Sequence, residues 1–154
     1  MNGVSAGRRI MTLLAAPEPV WGTEVPASAR IELKNVTFSY DGQKDVLKDV
    51  SLHFPETGMS AIVGESGCGK STIVSLICGM HRTEQGDVLA GSRKLESLDP
   101  KAWYSQMSMI SCSSYIFNQS VRENFHIANP NATEKEMWQA LRKVHLKEFI
   151  EENG

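Results

Sequence analysis

The residues Gly64-Glu65-Ser66-Gly67-Cys68-Gly69-Lys70-Ser71-Thr72 carry the densest chemistry in this chain. They fit G-x-x-x-x-G-K-[ST], with Gly64, Gly69, Lys70 and Ser71 at the fixed places. Glycines there let successive backbone N–H groups turn inward and come close to phosphate oxygens. A helix opening directly after the loop adds the pull of its positive end. Lys70 supplies a point charge for β- and γ-phosphates, and the Ser71 hydroxyl is placed to ligate magnesium. These residue types at this spacing form a nucleotide-phosphate site.

Such a loop works only between a strand and a helix, and both are written beside it. Met59–Val63 is a short apolar run between Gly58 and Gly64, the pattern of a buried parallel strand. Ile73 to Gly79 is apolar at helical spacing and is stopped by its glycine. Upstream, Ile31 to Tyr40 is strand-like, but its apolar parity changes from 31 and 33 to 36, 38 and 40, so a bulge is expected near Lys34-Asn35. Asp41 to Lys44 makes a turn, and Val46 to Phe54 returns as a second strand, giving a hairpin or small antiparallel sheet ahead of the phosphate loop. Tyr40, at the end of the first strand, is either a packing residue or a π-platform for a base.

Downstream, Thr83–Asp87 reads as a turn and Val88–Ala90 as a short strand. Asp99-Pro100 gives an N-cap followed by proline at the first helical position. The helix through Trp103 leads to Met107–Ser111, expected as a second buried strand. Ser120 to Glu123 and Thr133 to Glu136 have capping-box form, and the second opens a helix with Met137, Ala140, Leu141 and Val144 on one face. At the N-terminus, Met1 to Leu14 reads as a helix, broken at Pro17-Glu18-Pro19. Residues from there to about Arg30 are irregular, either a tail or a linker.

Composition narrows the function classes. The 154 residues allow one domain with a real core, and 16 basic against 18 acidic residues, a net charge of −2, suggest no polyanion partner. The three cysteines, Cys68, Cys78 and Cys112, form no C-x-x-C pair, which argues against a disulfide framework and for a reduced, cytoplasmic setting. His53, His81, His126 and His145 lack metal-ligand spacing and read as ordinary surface or core residues. No apolar run approaches the ~20 residues that span a bilayer, and neither a signal peptide nor an internal repeat is evident.

Taken together, these stretches resemble the nucleotide-binding domain of ATP-binding-cassette (ABC) transporters, of the exporter type in which membrane helices and ATPase share one polypeptide. Ile31 to Tyr40 is similar to the family's opening strand, whose terminal aromatic stacks on adenine, and Gly64 to Thr72 matches its Walker A loop. Thr83–Val88 resembles the stretch after the first helix. Ser114 to Asn124, around Phe117, resembles the segment that contacts the membrane domain. Ala6–Ile10 with Pro17-Glu18-Pro19 looks like the connector after the last membrane helix. A generic P-loop kinase or GTPase would share the loop but not these flanks.

The resemblance implies an α/β fold: a P-loop NTPase (RecA-like) core, here incomplete, with an N-terminal antiparallel β-subdomain. Residues 1–30 would be the connector and 31–154 the N-terminal part of the nucleotide-binding domain. It implies ATP and Mg²⁺ as ligands, held by Tyr40, Gly64, Glu65, Ser66, Gly67, Cys68, Gly69, Lys70, Ser71 and Thr72. Implied partners are a membrane-spanning domain of the same polypeptide and a second nucleotide-binding domain, at the cytoplasmic face of a membrane.

Two departures matter. Alignment puts Cys112 where the family has a glutamine that reaches toward magnesium and the γ-phosphate, and a thiol is a poor ligand for that hard cation. The family's signature motif, Walker B aspartate and glutamate, and switch histidine would all fall after Gly154, so the chain is expected to be a fragment inactive by itself. Edge strands around Met59–Val63 and Met107–Ser111 would then lack neighbours on one side. The main reading is the ATP-binding portion of an exporter ATPase. The alternative is a nucleotide-binding module that never hydrolyses, which Cys112 favours slightly.

Overall fold

A computed structural model describes residues 7–8, 11–12, 14–15, 20–111 and 114–153. The chain forms two compact units, residues 1–108 and 109–154.

In the first unit, β1 (Ile31–Ser39) and β2 (Asp45–Phe54) form the expected antiparallel hairpin. β3 (Gln85–Ala90) pairs antiparallel with the other edge of β1, and a two-residue β4 (Arg93–Lys94) completes a four-stranded sheet of order β2-β1-β3-β4. β3 begins three residues earlier than its apolar stretch, because Gln85 to Asp87 already pair with β1.

The parity change in β1 is resolved as expected. Leu33 is buried, then Val36 and Phe38, and the register slips between Leu33 and Val36. Asn35 takes a positive φ of 48°, and side chains stand in for the interrupted ladder. Its N–H donates to Ser51 Oγ at 3.0 Å and its Nδ2 to Asp49 Oδ1 at 2.9 Å.

Helix α1 (Lys70–Ile77) buries Ile73 and Leu76 in a core shared with Leu33, Val36 and Phe38 of β1, Leu47 of β2, and Val88 and Ala90 of β3. α2 (Pro100–Tyr104) starts as its sequence demands: the Asp99 side chain accepts from Ala102 N–H at 2.7 Å, Pro100 takes the first helical position, and Trp103 is buried.

Two expectations are not met. Neither Met59–Val63 nor Met107–Ser111 enters a ladder. Met59 and Val63 are 97% and 87% exposed, although Ile62 and Met107 pack partly against the core. A strand needs a neighbouring strand to satisfy its N–H and C=O groups in a ladder, and the four-stranded sheet of the described residues takes in neither segment. Neither segment therefore forms the strand expected of it.

Residues 20–30 are irregular, as anticipated, but docked. The N–H of Gly22 donates to Glu96 O at 2.9 Å, that of Glu24 to Ser97 O at 3.0 Å, and Glu24 forms a bridge with Leu98. Arg93 holds the Glu24 carboxylate at 3.4 Å and also donates to Val25 O. Of the helix expected over Met1–Leu14, residues 7, 8, 11, 12 and 14 are helical and the others lie outside the described residues.

The second unit holds α3 (Val121–Ala128), α4 (Glu134–Lys143) and α5 (Lys147–Asn153). Both capping boxes form: Ser120 and Thr133 accept from the N–H of Glu123 and Glu136, whose carboxylates reach back to the cap N–H at 2.8 Å each. On α4, Met137 and Leu141 are buried, whereas Val144 is the exposed C-cap rather than part of the packed face.

Candidate nucleotide-phosphate site

The site is built where the loop from Gly64 meets the first turn of α1. Gly69 is the N-cap of that helix, at φ 95° in the left-handed region. A Cβ there would lie 2.6 Å from Leu47 Cδ2, so β2 packs directly on the loop backbone. The left-handed conformation is what demands glycine here. Because Gly69 has no side chain, nothing caps α1, and its first turn holds no acidic residue. Both capping-box helices differ: in α3 and α4 a hydroxyl and a carboxylate occupy the N-terminal N–H groups.

Lys70, the first residue of α1, puts a positive charge at the positive end of the helix, an arrangement that the dipole disfavours. Its ammonium folds back over the loop and donates to Gly64 O at 2.9 Å and Glu65 O at 2.5 Å, with Cys68 Sγ at 3.7 Å. Residues Gly64 to Cys68 and Ser71 are exposed, while Gly69 and Thr72 are buried. The result is an open loop whose Cys68 N–H turns back to Glu65 O at 3.4 Å, with a lysine above it, a hydroxyl beside it and no side chain capping the helix that follows, which is suited to an oxyanion.

Tyr40 sits immediately after β1, 57% exposed. Its hydroxyl lies 3.1 Å from Thr72 Oγ1, which brings the ring beside the first turn of α1. The turn that follows it is closed by Asp41, whose carboxylate accepts from the N–H of Gln43 at 2.9 Å, from that of Lys44 at 3.2 Å, and from Ser39 Oγ at 3.0 Å. These bonds, led by that from Gln43, hold the Asp41 carboxyl below the usual carboxylate range.

The far end of α1 is closed by glycine. Gly79, at φ 71°, lies just past the C-cap. Its N–H donates to Leu76 O at 3.0 Å, and that of Met80 donates to Ser75 O at 2.9 Å, which is a Schellman closure. The reversal returns the chain toward the end of β1, and His81 meets Tyr40 and Phe38 there. Neither His81 nor Trp21, whose ring covers Gly79, stands out in the sequence. The glycine just past an apolar helical stretch was the one signal that the next residues turn back.

In the second unit, Tyr115 and Phe117 form an edge-to-face pair with centroids 5.1 Å apart. Asn124 latches this segment, accepting from Phe117 N–H at 2.9 Å and donating to Phe117 O at 3.1 Å. Tyr115, Ile116 and Phe117 are all exposed. Cys112 lies outside the described residues.

The family described as ABC transporter matches residues 47–153. An uncharacterized ABC transporter ATP-binding protein of Haemophilus influenzae is 35% identical across the whole of this chain and 28% of its own length. The mycobactin import ATP-binding/permease protein IrtB of Mycobacterium bovis is 37% identical over 92% of this chain and 25% of its own. Among solved structures, a bacterial Atm1-family ABC exporter with ATP bound matches with a TM-score of 0.82 at 23% identity, over 96% of this chain and 27% of that one. That likeness carries the fold, the α/β P-loop core with its antiparallel sheet. The chain thus spans about a quarter of the length of the relatives it matches.

Proposed function

The chain belongs to the ABC transporter family, and from that membership we propose that it is the ATP-binding part of an exporter-type ATPase that powers transport in a longer polypeptide. The observation that carries the site assignment is the first turn of α1. It has no cap and no acidic residue, and Lys70 lies across the loop carbonyls with its charge at the wrong end of the dipole. A polyphosphate entering this loop relieves that conflict by accepting from the loop N–H groups and from Lys70 at once.

Magnesium fits the same place. Among the described residues no cluster of three His, Cys, Asp or Glu could cage a metal, so the ion would arrive with the phosphates and take the exposed Ser71 hydroxyl as a protein ligand. When bound, it neutralises charge on the transferring phosphoryl group. The other assignments rest on the family: Tyr40 under the base, Gly64 to Thr72 around the phosphates, and the exposed Tyr115-Ile116-Phe117 segment against a membrane-spanning domain at the cytoplasmic face. Pairing with a second nucleotide-binding domain belongs to the same reading. IrtB is named as an ATP-binding/permease protein, which supports an architecture with both parts in one chain. No described helix is itself long and apolar enough to cross a membrane.

Titration with labelled ATP and magnesium tests the assignment. Lys70→Ala is expected to abolish most of the binding, and equal affinity of the variant and the parent would overturn it.

A further inference from the structure

We propose that His81 is a positioning residue for base recognition: its imidazole holds the Tyr40 ring in the orientation that leaves a face open to a planar base. The inference rests on the nucleotide reading above. Three contacts fix the Tyr40 ring. Phe38 meets it edge-to-face at 4.9 Å and 85°, His81 does so at 5.2 Å and 89°, and the hydroxyl is tied to Thr72 at 3.1 Å. Phe38 and His81 also touch each other, at 5.5 Å and 44°, so the three rings close a cluster. These separations fall within the range where aromatic edges and faces attract.

None of the contacts to Tyr40 is a parallel stack, and the ring is more than half exposed. The geometry that a purine takes on a tyrosine is therefore still available. The supports differ in kind. Phe38 is buried in the core and Thr72 belongs to α1, so both are fixed by the fold. His81 is exposed and is delivered only by the reversal at Gly79. Removing its ring frees Tyr40 to sample further rotamers, and the cost of ordering that side chain then falls on base binding. Phosphate binding, which uses the loop and Lys70, does not share that cost.

The test is calorimetric titration of the chain, in magnesium, with ATP and with inorganic triphosphate, for wild type, His81→Ala and His81→Phe. His81→Ala is expected to lower ATP affinity about two- to tenfold, the range an edge-to-face pair supplies, and to leave triphosphate affinity unchanged. His81→Phe, which restores a ring edge, should recover the ATP affinity. An unchanged ATP-to-triphosphate ratio in His81→Ala, an equal loss for both ligands, or no recovery in His81→Phe would overturn the inference. Failure of wild type to bind triphosphate would instead overturn the phosphate-site reading. Equal wild-type affinity for the two ligands would remove the role of Tyr40, and that of His81 with it.

Discussion

The hydroxyl of Tyr40 lies 3.1 Å from Thr72 Oγ1, so the ring at the end of β1 is tied to the first turn of the helix that follows the phosphate loop. In the function proposed above, this one hydrogen bond would link a platform for the base to a cradle for the phosphates. Tyr40→Ala should weaken ATP binding by about 1–3 kcal/mol, the worth of one base–aromatic stack. Tyr40→Trp should largely preserve it, because the π-face survives while the hydroxyl does not. Competition between ATP and bare triphosphate for the wild-type site checks this directly: equal potency would mean that the base is not held and that Tyr40 only packs.

Gly79 answers two constraints at once. Its φ of 71° disfavours any L side chain by about 1–2 kcal/mol, and a Cβ there would lie 2.5 Å from the Trp21 ring. Trp21 is also held edge-on by Tyr104, with centroids 5.7 Å apart, and lies beneath the Arg82 guanidinium. Gly79→Ala should therefore destabilise the first unit by more than the backbone term alone. In Trp21→Ala the clash is gone, so the double variant should lose less than the sum of the singles. Strict additivity in denaturant unfolding would show that the ring does not press on Gly79.

How much of this was legible beforehand depends on the range over which each feature is determined. The loop, the end of α1, the bulge near Asn35 and the caps at Asp99, Ser120 and Thr133 are set by neighbours within a few residues, and the sequence announces them. Met59–Val63 and Met107–Ser111 have the composition of buried strands, yet a strand exists only through its partners, and composition does not state whether those are present. The cluster of Phe38, Tyr40 and His81 joins residues across the helix, and no local pattern in the sequence announces it. The same holds for the docking of Trp21 on Gly79.

Stability should fall in acid in part through Asp41. The N–H of Gln43, then that of Lys44 and the Ser39 hydroxyl, favour its charged form in the folded chain and lower its pKa. A lowered folded pKa means stabilisation that is whole above the ordinary aspartate value of about 3.9 and is lost as the pH falls through the folded value. Asp41→Asn keeps an acceptor oxygen but cannot titrate. Urea unfolding from pH 6 downward should show the wild-type advantage over Asp41→Asn shrinking below about pH 4. A difference that stays constant through that range would mean that the charge on Asp41 does not matter to the turn.

Hydrolysis is a separate matter from binding. Phosphoryl transfer to water requires an oriented nucleophile and charge stabilisation on the far side of the γ-phosphate, beyond what a loop and a lysine supply. In the family the first task belongs to the Walker B glutamate and the second in part to the signature motif of a partner domain. Neither motif occurs among these 154 residues, so pairing two copies of this chain would not bring them in. If Cys112 takes the place of the family glutamine, as the family resemblance implies, it would also serve poorly toward magnesium, because sulfur is a poor ligand for that cation. Each missing interaction removes transition-state stabilisation, at roughly tenfold in rate per 1.4 kcal/mol. Phosphate release by the purified chain should therefore match that of its Lys70→Ala variant. Lysine-dependent turnover on the order of 1 s⁻¹, the low end of usual enzyme rates, would show that a water-orienting group is present within these residues.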